Sequence, residues 1–168
     1  MAYSDHFIHA DDIVNHLNIF VPTISDPLLT AKYVGFVSIA AVTVYELAVK
    51  DIFIEFARKK HKLLGNFTEV YFDRINGRIK LKSITDDYIA KFGKKYQIRF
   101  NKNIEELSTN YFQTNHRDIK SSYANLITWR NDFAHEGHIN STTTYKEVIQ
   151  AYEDGKQVIH CLAASMTR

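Results

Sequence analysis

Apolar positions recur along most of the chain at the three-to-four-residue spacing of an α-helix. Ile8, Ile13, Leu17 and Phe20 mark a first helix from about Asp5 to Phe20. Pro22 and Pro27 bracket a connection. Asp26 suits the N-cap of a second helix, with Pro27 at its first position, where a missing N–H costs nothing. This helix is predicted from Pro27 to about Lys62, and its middle is apolar nearly all round, the pattern of a central core helix. Gly65-Asn66 is expected to end it. Phe67, Val70, Tyr71 and Ile75 then predict a short helix that ends near Asn76-Gly77. Ser83 is expected to start another, with Asp86 at the capping-box distance and Gly93 as its stop. The pattern over 94–103 is ambiguous, and Ile104 to Phe112 is predicted helical. Asn115 is expected to cap a helix from about His116 to Glu136 that Gly137 stops. Thr144 and Glu147 have the spacing of a capping box for a last helix to about Met166.

Neither an internal repeat nor an interdomain linker interrupts these elements, so the expectation is one all-α domain over residues 1–168. Composition agrees. Hydrophobic residues make up 45% and charged residues 24%, which suits a soluble globular chain, and two prolines and six glycines leave few helix breakers. Tyr33 to Val49 is the one stretch apolar enough to suggest a membrane, but Ser38, Thr43 and Glu46 interrupt it. It falls short of the roughly 20 apolar residues a span needs, so it reads as core. The single cysteine, Cys161, excludes an intrachain disulfide and a cysteine-based zinc site, and its apolar surroundings read as core. The first residues carry acids and histidines rather than a basic and then apolar leader. A cytoplasmic protein is expected.

The net charge of +2 hides an asymmetry. From Arg58 to Lys102 there are 13 lysines and arginines against 4 acids, a local balance of +9, whereas the rest of the chain carries −7. A basic middle in an acidic frame is compatible with a polyanion surface or with a solvated helical face. Tyr96 and Phe100, among basic neighbours, are candidates to stack on nucleobases, although most of the 10 tyrosines and 11 phenylalanines must be core.

The penultimate helix holds the most informative segment. At about 100° per residue, Ile119, Tyr123, Leu126, Phe133 and Ala134 fall on one apolar arc, and Arg130 falls inside it. A guanidinium cannot shed its charge and is costly to bury alone. Arg130 therefore calls for a carboxylate such as Glu46 or Asp51, a subunit interface, or a ligand phosphate. Asn131 and His135 are four apart and share a face. Arg130 and His135, five apart, do not share one on an ideal helix, but Gly137 puts His135 in the final turn, where the backbone can deviate. The run His135-Glu136-Gly137-His138 lacks the His-Glu-x-x-His spacing of a zinc protease, and His6 and His9 read as solvated. No phosphate-cradling glycine loop and no Gly-x-Ser-x-Gly elbow occurs. No metal and no cofactor are expected.

Arg130-Asn131-Asp132-Phe133-Ala134-His135-Glu136-Gly137 resembles the signature of the HEPN superfamily, in which an Arg followed by a polar residue precedes a His. Phe36 to Phe53, with Tyr45-Glu46, resembles the second helix of its RiboL-PSP and abortive-infection types, and Tyr145 to Leu162 fits their terminal helix. Glu136 stands where a Gly often follows the His directly. The resemblance spans about Asp26 to Met166. It implies a bundle of four to five main helices with short extra ones, which dimerises with the two motifs facing each other. It further implies a metal-independent endoribonuclease, with toxin or phage-defence use and an antitoxin or other regulatory protein as a possible partner. Arg130, Asn131 and His135 would be catalytic, with Glu46 supporting Arg130. The alternative is a non-catalytic HEPN module that binds nucleic acid, nucleotide or a protein. The chemistry is coherent in its own right. Cleavage by the RNA 2′-OH needs a base, an acid and a cation for the phosphorane. An imidazole and a guanidinium supply these, and a two-fold interface doubles both.

Overall fold

A computed structural model describes residues 2–75, 77–138 and 142–167, and among them it contains helices and no strand. A 3-10 turn over Tyr3–His6 leads into α1, Phe7–Phe20. The long α2, Pro27–Lys60, begins as its sequence dictates: the Asp26 carboxylate accepts the Leu28 N–H at 2.9 Å and Pro27 opens the first turn. Its middle is buried on nearly every side, from Val34 to Ala57, and it packs against α1 and three later helices, α3, α6 and α7. The Tyr33–Val49 stretch is thus a core helix, and among the described residues no helix is long and apolar enough to cross a membrane.

Several boundaries differ from the sequence expectations. α3 runs Lys62–Phe72, so Gly65-Asn66 lies inside a helix instead of ending one. The break falls four residues before Gly65, at His61, which turns extended and accepts the Leu63 N–H on its ring nitrogen. Gly65 is retained for packing, since a β-carbon there would come within 2.3 Å of Arg58 Cγ. Asn76 lies outside the described residues. A widened π-helical segment, Ser83–Ile89, passes into α4, Ala90–Phe92. Ser83 is not the cap expected there, because helical backbone already precedes it. Gly93, at φ 124°, ends α4 as expected.

The ambiguous stretch after Gly93 is helical throughout, in α5, Lys94–Asn115, which buries Tyr96, Phe100 and Ile104. Asn115 closes this helix rather than capping the next. His116 takes a left-handed turn, and the Asp118 carboxylate caps α6, Ile119–Glu136, by accepting the Lys120 N–H at 2.9 Å. α7, Tyr145–Ser165, starts with the expected box: Thr144 Oγ1 accepts the Glu147 N–H, and the Glu147 carboxylate accepts the Thr144 N–H at 2.7 Å. Those bonds hold the Glu147 carboxyl below its ordinary range.

The core is centred on three stacked tyrosines. Tyr45 of α2 stacks between Tyr123 of α6 and Tyr152 of α7, with ring centroids 5.7 and 5.8 Å away. Each hydroxyl is buried and each donates: Tyr45 to the Tyr152 carbonyl, Tyr123 to the Ile79 carbonyl at 2.7 Å, and Tyr152 to Asp11 at 2.8 Å. Burial pushes the Tyr45 and Tyr123 hydroxyls far above their ordinary range, so they act as neutral donors. These bonds tie α6 and the backbone at Ile79 to the centre of the molecule.

Candidate functional site

The Arg130–His135 segment occupies the last turn and a half of α6. The buried seam of that helix is Ile119, Tyr123, Leu126 and Ile127, and it runs out before the segment begins. Phe133 is only half-buried and Ala134 is exposed, so the apolar arc expected to include both is truncated. Phe133 still anchors the helix end. Its ring meets Phe36 edge-on at 5.4 Å and covers Gly35, where no side chain fits.

Arg130 is half-buried. Its guanidinium lies against the turn at Gly77, whose φ of 76° favours glycine; a β-carbon there would come within 3.4 Å of both terminal nitrogens. Arg130 Nη1 donates to Asn131 Oδ1 at 3.0 Å. Among the described residues no carboxylate pairs with it. The expected partner Glu46 is elsewhere engaged, with Lys50 at 2.9 Å one turn along α2, and Asp51 bonds His6 at 2.7 Å. An i,i+4 neighbour on the same helix is nearer to Glu46 than a side chain from α6.

His135 is exposed. The backbone around it does not deviate: α6 stays helical through Glu136, and Gly137, left-handed at φ 72°, returns its N–H to the Phe133 carbonyl at 3.0 Å. Asn131 and His135 therefore share a face, while Arg130 and His135 stand about 140° apart around the helix and about 7.5 Å apart along it. Within one chain, Arg130 turns towards Gly77 and His135 towards solvent. Asp132, within the same segment, is half-buried.

A second polar cluster escaped the sequence reading. Asp154 of α7 is fully buried, and it accepts from Arg117 through two guanidinium nitrogens, from Tyr111 at 2.6 Å and from Ser122 at 2.9 Å. Burial alone would raise this carboxyl, but Arg117, Tyr111 and Ser122 outweigh it and hold it below its ordinary value. The cluster joins α5, the 116–118 turn, α6 and α7, and so fixes the register of the helix that carries Arg130. Its members are scattered over 44 positions of sequence, from Tyr111 to Asp154, and no local pattern connects them.

Tyr96 and Phe100 are 4% and 1% exposed, so they are core and not available for stacking. The exposed rings of the basic region are instead Phe67 and Tyr71 on α3, at 68% and 43%. Among the described residues no three His, Cys, Asp or Glu side chains converge as metal ligands.

The model of the family described as RiboL-PSP-HEPN matches residues 5–167. No curated protein and no solved structure matches the chain.

Proposed function

Since the chain belongs to the RiboL-PSP-HEPN family, an all-α family of RNA-related, nuclease-type modules, we propose that it is an endoribonuclease that cuts single-stranded RNA without a metal. It works as a homodimer, in a toxin or phage-defence setting. The observation that carries this reading is Arg130, a half-buried guanidinium that no carboxylate among the described residues neutralises. An RNA phosphate satisfies it with planar, paired hydrogen bonds.

The 2′-OH of the nucleotide at the cut site attacks the adjacent phosphorus as His135 takes its proton. The P–O5′ bond breaks, and the leaving oxygen takes a proton from the second imidazole of the pair. The products are a 2′,3′-cyclic phosphate and a 5′-hydroxyl. Arg130 stabilises the dianionic phosphorane, and Asn131 orients the guanidinium through its Oδ1. Because Arg130 and His135 diverge around α6, a two-fold arrangement supplies the missing group from the second chain. The exposed Phe36, in contact with Phe133, is part of the apolar surface beside the motif that a second copy would cover.

The test is incubation with total RNA in EDTA. Cleavage with cyclic-phosphate ends is expected, with DNA and a 2′-deoxy site left intact. Activity that vanishes in EDTA and returns with magnesium overturns the reading. A second reading, a non-catalytic HEPN module that binds nucleic acid, nucleotide or a protein, is favoured by the divergence of Arg130 and His135 within one chain. A folded dimer that leaves all RNA intact selects it.

A further inference from the structure

The basic block of the sequence folds around a groove that the motif on α6 does not include. The end of α2, the outer face of α3, α4 and the start of α5 enclose a cavity of about 470 Å³. A second, of about 700 Å³, adjoins it and shares Phe67, Tyr71 and Lys91. The first has Lys60, Lys91 and Lys95 around it; the second continues to Arg74, Ile75 and Arg78. Ile75 and Arg78 flank the Gly77 turn on which the Arg130 guanidinium rests. On this side the groove is lined by Ile75 and Arg78, which lie within two residues of Gly77 in the sequence.

Five cations and one carboxylate, Asp87, line the two cavities, and among the described residues no ion pair joins any of the five to a carboxylate. Elsewhere the chain does pair its cations, as with Arg58 and Glu69 at 2.8 Å or Lys120 and Glu105 at 2.8 Å. The lysines are held over rings instead: Lys91 Nζ is 4.3 Å from the Tyr71 centroid, Lys60 5.0 Å from Phe56 and Lys95 4.8 Å from Tyr96. Burial works to raise the Tyr96 phenol, yet Lys95 and Lys60 together hold it below its ordinary value, a sign of concentrated positive charge. Phe67 and Tyr71, one turn apart on α3, offer exposed π-faces in this field. Unpaired cations along a groove with stacking rings on its wall are what a single nucleic-acid strand requires.

We propose that this groove is the track that holds single-stranded RNA, with bases on Phe67 and Tyr71 and phosphates on Lys60, Lys91, Lys95, Arg74 and Arg78, and that it delivers the strand to Arg130. The inference rests on the reading of Arg130 as a phosphate ligand of RNA. The Arg78 carbonyl is fixed by the Tyr88 hydroxyl at 2.6 Å, which gives the end of the track near Arg130 a defined geometry. An acidic protein surface meets the charge but makes no use of exposed rings at this spacing, and an anionic membrane finds a concave groove where it needs a flat or convex face.

The experiment measures anisotropy of a labelled 2′-O-methyl RNA of about twelve nucleotides, which binds but cannot be cut. Phe67→Ala and Tyr71→Ala are each expected to weaken binding by about 5-fold or more, as loss of one stacked base does. Lys91→Gln combined with Lys95→Gln is expected to reduce the slope of log affinity against log salt by about 1.4, or roughly 0.7 per cation. These positions are at the surface, and thermal unfolding checks that the variants keep the parent fold. Unchanged affinity and salt slope in these variants overturn the track, as does equal binding of polyglutamate or of anionic vesicles in place of RNA. Cleavage is read separately. Variants that cut total RNA with wild-type kcat/KM sink the track and leave the nuclease reading intact. Groove-dependent binding by a wild-type protein that cuts nothing does the reverse.

Discussion

Phe133 closes over Gly35: a β-carbon on that glycine would meet the ring at 2.3 Å. This contact fastens the end of α6 to α2, two residues before His135. Gly35→Ala is therefore expected to push Phe133 aside and destabilise the fold by about 1–3 kcal/mol, as overpacking does. Thermal unfolding of the single variant and of Gly35→Ala combined with Phe133→Ala provides the check. The two effects should be less than additive, because removing the ring makes room for the methyl. Strict additivity would show that the contact is not tight.

Arg130 and His135 should be indispensable in different ways. His135→Ala removes proton transfer and is expected to slow cleavage about 10²–10⁴-fold. Arg130→Ala loses stabilisation of the phosphorane, worth about 10²–10³-fold by comparison with loss of one oxyanion donor. Arg130→Lys should not rescue, since a point charge does not reproduce the planar fork that bridges Asn131 and a phosphate. Mixing the His135→Ala and Arg130→Ala chains should restore part of the activity and not all of it, because the mixed dimer keeps one Arg130 and one His135 but lacks the second imidazole. Full cleavage by the His135→Ala protein contradicts the mechanism.

The oligomeric state is a separate expectation. Light scattering of the wild type at micromolar concentration should give a dimer. Phe36→Asp, at a position 52% exposed and beside Phe133, should give a folded monomer without cleavage. A wild-type monomer that cuts RNA would remove the need for a second chain.

Asp154 sets a dependence of stability on acid. Its carboxyl titrates below its ordinary value of about 3.9 in the folded chain, so its contribution is complete above that pH. As pH falls through the lower, folded value, protonation weakens the bonds from Arg117, Tyr111 and Ser122 and the contribution is lost. Asp154→Asn should lower stability at neutral pH by about 2 kcal/mol, less than the ~3–5 of a fully buried broken pair because Arg117 is partly solvated. Between about pH 4 and the acid limit the variant should lose less stability than the wild type, measured by urea unfolding at each pH. Parallel pH curves would refute this account.

Gly155 has a comparable constraint in the core. A β-carbon there would come within 2.6 Å of the Tyr45 hydroxyl oxygen, at the centre of the tyrosine stack. Gly155→Ala is expected to cost about 1–3 kcal/mol despite its better helix propensity, because the stack has no room to yield. A rise in melting temperature would show that propensity wins.

The sequence by itself determined what depends on near neighbours. The Asp26-Pro27 start of α2, the Thr144–Glu147 box, the Gly93 and Gly137 stops and the helical period of α1, α2, α6 and α7 all rest on bonds within about four residues, and all are present in the structure. The Arg130–His135 string on which the resemblance to the family was read was legible for the same reason, as one unbroken run on one helix. Local signals also misled where two candidates lay close together: Asp118 displaced Asn115 as the cap because His116 takes the left-handed turn, and Gly65 stayed helical because Arg58 packs on it. Only the tertiary structure decided which distant side chains meet. Arg130 rests on Gly77 and not on Glu46, Phe133 on Gly35, and Arg117 on Asp154. Phe67 and Tyr71 remain outside while Tyr96 and Phe100 go into the core. Each outcome depends on how helix faces are rotated and spaced against one another, and that is set by the packing of the whole core, which no stretch of sequence encodes alone.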